Sequence, residues 1–525
     1  MQYLIRNVKI YDGTGSEPYV ADVLTDGEKI ARIETGLTAL NVIDGTGLCL
    51  SPGFIDAHTH SDSQLFVDPD RAGKLLMGVT AEVNGQCGWS RAPLLSDAPE
   101  TAKEFIYTVY GKPDRMAYFE TFGEQMEGMS AMKLGAHQKC FVGHHMLRAS
   151  VVGMENRKAT PAELDRMCGL MEEAMQSGAL GFSTGLVYAP GIFSDTEELT
   201  ALARVAARYG GIYSTHMRDE SFRLEEAVDE AITVARAAGV PLNISHLKAQ
   251  YPENWYKTEK ILETIDRANA DGCDITFDVY PYEACSATIL STLPPSYNTH
   301  GTAWTTEHLI GKENIETLRK ALLEPTEVFE NPFRSAGPEN LLIVVAAKTP
   351  EAEGKTIAEY AGLRGIDTVE AYAEIIAKNE CRVSDVRFSM STDCIAKNYQ
   401  HPCCMVGTDG LYTSRVKLSH PRHFGTFPRY LGRFVRDMGI LPFAEGIRRV
   451  TAMPAERYGF VNKGYIREGY DADMVLFDEN TLIDRADYLT PLAPNEGIKA
   501  VFVMGGIAVK DNLYTNLRNG KIYRR

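Results

Sequence analysis

The chain has 525 residues, a formal net charge of −16 and a pI near 5.3, a balance that argues against nucleic acid or an anionic membrane surface as partner. No run approaches the roughly 18 apolar residues of a membrane span, and the alternating start "MQYLIRNVKIYDGTG" carries no signal-peptide pattern. Ten scattered cysteines without a CxxC pair predict a reduced, cytoplasmic chain rather than a disulfide framework.

From the start to about residue 50, short alternating segments are broken by "DG" and "GTG" turns, and the tail resumes the pattern in "GYIREGYDADMVLFD" and "IKAVFVMGGIAVKDN". Period-two alternation with such turns marks antiparallel β structure. The two ends together predict a small β-sandwich domain, residues 1–54 with 458–525. Between them apolar strand candidates alternate with amphipathic helices: "SPGFIDAH", "GVTAEVNGQC", "KCFVGHHM", "ALGFSTGLVY", "GIYSTHMR", "VPLNISHLK", "CDITFDVYPY" and "CCMVGTDG". One helix opens with Thr160-Pro161 as N-cap and first residue and closes on Gly178. Eight strands in a βα alternation predict a (β/α)8 TIM-like barrel over residues 55–457, with a doubly wound open sheet as the structural alternative. After the seventh strand, a Pro-, Ser-, Thr- and Asn-rich stretch at about 284–346 reads as a lid-like insertion.

In a parallel barrel the chemistry gathers at the C-terminal strand ends. Those positions hold His58 and His60, Cys87, His144 and His145, His216, His246 and Asp409. His58 and His60 alone are an ordinary polar strand end. Together with a thiol and further imidazoles at corresponding places they form a ligand set suited to zinc, and three protein ligands with one open position is the catalytic pattern. Asp409, in the tight "GTDG" turn, is suited to accept a proton from water and return it to a leaving nitrogen.

The stretches "PGFIDAHTH", "STHMRDE", "NISHLK" and "VGTDG" resemble the amidohydrolase superfamily. "GQCG", "GLVYAPG", "HPRHFGTFPRYLGRFVR", "TAMPAERYGF" and "GYIREGYDADMVLFD" resemble, within it, the N-acyl-D-amino-acid deacylase (D-aminoacylase) family, nearly end to end. The resemblance implies a tight zinc on Cys87, His216 and His246, and a second, weaker metal position at His58, His60 and Asp409. Asp409 is then the general acid/base, Lys248, Tyr282 and Arg422 bind the substrate α-carboxylate, and Tyr188 lies near the scissile amide. A guanidinium also suits a carboxylate on physical grounds, through two parallel hydrogen bonds. Asp219 and Glu220 read either as partners of the ligating histidines or as a solvated loop, and Arg148 as an anion contact or a buried salt-bridge partner. The third strand departs from the pattern: His145 stands where the resemblance implies glycine, placing a bulky titratable group near the pocket.

The expected activity is zinc-dependent hydrolysis of N-acyl-D-amino acids, a small-molecule reaction with no nucleic-acid or membrane partner. A homo-oligomer is among the states left open. A cyclic amide or a larger N-acyl compound is the alternative substrate, and a non-catalytic metal-binding barrel the alternative of a different class.

Overall fold

The structure is a computed structural model that describes residues 2–111, 117–325, 329–411 and 418–525. Its centre is an α/β barrel of the TIM type. Among the described residues parallel pairing runs in chain order through Phe54–Asp56, Val79–Asn84, His137–Cys140 with Val142–Gly143, Gly181–Gly185, Ile212–His216, Leu242–Ile244, Ile275–Val279 and Cys404–Val406. The ring closes where Ala57 N donates to Val406 O at 3.2 Å and Thr59 pairs in parallel with Gly410. Helices cover it outside. Pro161–Gln176 begins at Thr160 with a reciprocal capping box to Glu163, and Leu224–Ala238 ends on Gly239 at φ 67°, a left-handed cap that glycine adopts without penalty. Among the described residues no helix is long and apolar enough to cross a membrane.

The run read as the first barrel strand is divided between two sheets. Cys49–Pro52 pairs antiparallel with Met474–Phe477 and parallel with Leu4–Ile10, whereas Phe54–Asp56 enters the barrel. Gly53 is the pivot: a Cβ there would stand 2.2 Å from Thr80 Oγ1. Strands from both chain ends thereby hydrogen-bond into one continuous sheet, folded over a core that includes Ile5, Val23, Leu50, Met474 and Phe502. The insertion expected at 284–346 extends further. Ala284–Thr288 and Leu341–Val345 both pair antiparallel with Ser384–Phe388, so the excursion returns to the barrel only with helix Thr392–Gln400. The central strand of a small sheet, supplied from late in the chain, carries no marker in the Pro-rich stretch that suggested the insertion.

Under the barrel mouth lies a buried ionic network. Arg71 Nη2 donates to Glu82 Oε1 at 3.1 Å, and Lys74 holds Asp56 and, at 2.7 Å, Thr408. Burial alone would raise the Glu82 carboxyl, but the charges of Arg71 and Lys74, with hydrogen bonds from Arg71 and Gln138, bring it from 4.5 to about 2. A depressed carboxylate stabilises the fold above its unfolded pKa and loses that contribution as the pH falls through its folded one. Glu82 is therefore expected to contribute about 3 kcal/mol above pH 4.5, lost progressively toward pH 2. Glu82→Gln should lower stability at neutral pH by about 3–5 kcal/mol, because it leaves buried cations uncompensated, and should flatten the loss between pH 4.5 and 3. Urea midpoints at pH 7, 4.5 and 3 check this.

Candidate active site

Cys87 follows the second barrel strand, His216 ends the fifth, His246 follows the sixth and Asp409 the eighth. Cys87, His246 and Asp409 take left-handed backbone, at φ 51°, 36° and 47°. Such a conformation costs a non-glycine residue about 1 kcal/mol or more and collects at functional sites. Each turn ends the strand's alternation at the residue that carries the chemistry.

Cys87 Sγ lies 3.3 Å from His58 Nε2 and 3.4 Å from His246 Nε2, and His58 Nε2 lies 3.4 Å from Asp409 Oδ1. The donor atoms of His58, Cys87, His246 and Asp409 all fall within 4.8 Å of one another, and so do those of His216, Glu220 and His246. Carboxylates orient the rings from behind: His58 Nδ1 is 3.1 Å from Asp278, and His246 Nδ1 is 3.0 Å from Glu220. With each Nδ1 facing an acid, each Nε2 is turned toward Cys87. His216 is buried, and neither ring nitrogen reaches hydrogen-bond geometry with a described residue; Nε2 faces Glu220 Oε2 at 3.6 Å, and the Cys87 thiol lies close to the ring. An unsatisfied buried imidazole beside a thiol, two further imidazoles and carboxylates is the donor set of a zinc site, and the residues fit that ion.

The electrostatics agree. Burial would raise the Cys87 thiol, but the charges of His58 and His246 hold it well below its usual range, which favours the thiolate. Burial would likewise raise Asp409; Arg422 and His246, with hydrogen bonds from His58 and His60, keep it ionised. His60 donates to Asp409 Oδ1 at 3.0 Å and rises to about 9, its bonds to Asp409 and Cys87 outweighing a burial that lowers it.

A cleft of about 1400 Å³, open mouth included, covers these strand ends. Lys248, Arg422 and Tyr188 line it. Lys248 donates to Glu220 Oε1 at 2.6 Å, Arg422 Nη1 stands 2.8 Å from Asp409 Oδ2, and the Tyr188 ring meets His216 with centroids 5.0 Å apart. Tyr282 lies elsewhere. Its amide donates to Tyr280 O at 3.0 Å in a tight turn that takes it off the strand line, and its hydroxyl donates to Asp484 at 3.1 Å. Tyr280 occupies the cleft instead, its ring 4.8 Å from the Arg422 guanidinium and its buried hydroxyl without a hydrogen bond to the described residues.

Three other expectations resolve. His145 does not line the cleft; it is buried behind Trp89, with ring centroids 4.3 Å apart, and its Nε2 donates to Gly185 O at 2.9 Å. His144 and Arg148 both bind Glu198, so Arg148 is a salt-bridge partner. Asp219 accepts from the amides of Ser221 and Arg223 in its own loop, while Glu220 enters the site. Sequence reasoning missed Asp278, although a lone acid inside the apolar strand of "CDITFDVYPY" was a legible signal.

The chain belongs to the amidohydrolase family, whose sequence profile matches residues 41–507. It is 32% identical over 521 residues to the N-acyl-D-glutamate deacylase of Alcaligenes xylosoxydans xylosoxydans, spanning 98% of this chain and 95% of that protein. To the D-aminoacylase of the same organism it is 31% identical over 525 residues, spanning 99% and 97%. The fold matches the crystal structure of N-acyl-D-glutamate deacylase from Bordetella bronchiseptica, complexed with zinc and a phosphonate inhibitor that mimics the reaction's tetrahedral intermediate. The TM-score is 0.85 at 30% identity, over 100% of this chain and 99% of that one.

The two tyrosines are separable. Tyr280→Phe is expected to raise KM about three- to tenfold, by removing a donor from the cleft. Tyr282→Phe is expected to lower Tm by about 1–2 °C and leave KM alone. Steady-state kinetics and a thermal melt of each variant check the assignment.

Proposed function

We propose that the protein is a zinc-dependent hydrolase that cleaves the amide of N-acyl-D-amino acids, releasing a carboxylate and a free D-amino acid. The convergence of Cys87, His58, His246 and ionised Asp409 in one buried cluster, joined through His246 to His216 and Glu220, carries this reading. The full-length likeness to two D-amino-acid deacylases supports the handedness.

Cys87, His216 and His246 would hold the tight zinc, and His58, His60 and Asp409 a second, weaker position. The ion, when bound, supplies Lewis acidity at the amide and acidifies water. Asp409 accepts a proton from the attacking water at a carboxylate oxygen and delivers it to the departing nitrogen. Lys248 and Arg422, with Tyr280 between them, cradle the α-carboxylate; a carboxylate-free cyclic amide would leave that cradle unused. Tyr188, against His216, borders the scissile amide.

The continuous end-to-end sheet and its separate core support a small β-sandwich domain of residues 1–54 with 458–525, beside a barrel of 55–457. The excursion after the seventh strand, which contributes Ser286, Leu290 and Arg387 to the cleft wall, is suited to act as its lid. All ten cysteines are unpaired, which supports a reducing, cytoplasmic setting.

Metal-loaded enzyme is expected to release amine from N-acetyl-D-amino acids and not from the L-series; an L-preference or no release in a ninhydrin assay would defeat the reading. Asp409→Asn should cut kcat by about 10²–10⁴ while elemental analysis still finds zinc. Cys87→Ala should lose both zinc and turnover.

A further inference from the structure

The cleft has two unlike sides. Lys248, Tyr280, Asp409 and Arg422 come from the ends of the sixth, seventh and eighth strands and the segment after them. The other side, after the second and fourth strands, carries Trp89, helix residues Phe105 and Val109, and Ile192; the excursion adds Leu290 and Leu293 alongside Ser286, Thr288, Ser291 and Asn298. Trp89 and Phe105 stack at 6.3 Å and 20°. They form one packed cluster with Cys87, Leu290 and Leu293, against which Ile192 and Val109 lie. The nearby cations are paired, Arg218 with Glu230 at 2.8 Å and Arg387 with Asp385 at 2.6 Å, as Lys248 is with Glu220 and Arg422 with Asp409 across the cleft, so the two sides are told apart by their aromatic and aliphatic lining. His145, behind Trp89, adds no charge, since burial and His144 push its pKa far down.

In a ring of eight strands the second to fourth face the sixth to eighth across the axis. In an N-acyl amino acid the α-carboxylate and the acyl group leave the amide in opposite directions. The geometry points to an acyl compartment: with the carboxylate at Lys248 and Arg422, the acyl group enters the Trp89–Phe105–Val109–Ile192 wall, which fits an unbranched apolar acyl chain well beyond acetyl. This assignment rests on the deacylase reading above and adds the acyl class to it.

The test is an N-acyl series, acetyl to butanoyl, hexanoyl and octanoyl, on the D-amino acid most readily released from its acetyl derivative. Each methylene buried against the wall is expected to multiply kcat/KM about two- to fourfold, so hexanoyl should exceed acetyl by about 16-fold or more. Hexanoate should inhibit at least tenfold more tightly than acetate. Val109→Trp should reduce the hexanoyl-to-acetyl ratio to below about threefold, and Ile192→Trp serves if that variant does not fold. An acetyl-active enzyme with a flat or falling series and equal inhibition by both acids overturns the acyl compartment and leaves the deacylase reading intact. So does a flat series joined to a strong preference for apolar D-side chains, which would give the wall to the side chain. No hydrolysis of any member overturns both.

Discussion

A thiolate and a carboxylate buried around shared imidazoles set the charge balance on which the rest of the site depends. Cys87 and Asp409 both approach His58 Nε2, at 3.3 and 3.4 Å. Buried anions this close together are costly unless positive charge and hydrogen bonds meet them. Much of the surroundings does that work: Arg422 lies on Asp409, His60 donates to it, and His246 faces Cys87. Asp278 and Glu220 stand one step further out and turn the rings so that Nε2 faces inward. A cation with open coordination satisfies the same balance and makes the cluster reactive.

The backbone accepts strain to bring these groups together. Left-handed turns at Cys87, His246 and Asp409 follow their strands at three residues of the buried cluster. The price is met by a barrel whose interior is tied by ionic pairs beneath the mouth, Arg71 with Glu82 and Lys74 with Asp56. Rigid strands thus hold the chemistry, while the excursion after the seventh strand completes a wall of the cleft.

The two sides of the cleft differ in their lining. Two basic groups and a tyrosine stand on one side, and stacked aromatic and aliphatic side chains on the other, with the metal-ligating cluster between them. On the proposed reading, the anionic end, the amide and the acyl end of the substrate would follow that order.

Local pattern sufficed for the barrel strands, the capped helix at Thr160 and most of the converging polar residues, because strand ends, caps and turns are written in short stretches of chain. His58, Cys87, His216, His246 and Asp409 stood out at strand ends for the same reason, whereas Lys248 and Arg422 came from the family resemblance; the structure brings all seven to one region. Tyr282 was misjudged against Tyr280 because both share one parity, and only a two-residue turn after the strand separates them. His145 looked like a pocket residue because the chain cannot show which of two neighbouring histidines is covered by Trp89, a residue 56 positions earlier. The insertion was cut short because its middle strand pairs with partners 43 and 100 positions before it. Periodicity records which face of an element is apolar, whereas which faces meet depends on contacts between distant segments, and those are settled only when the whole chain packs.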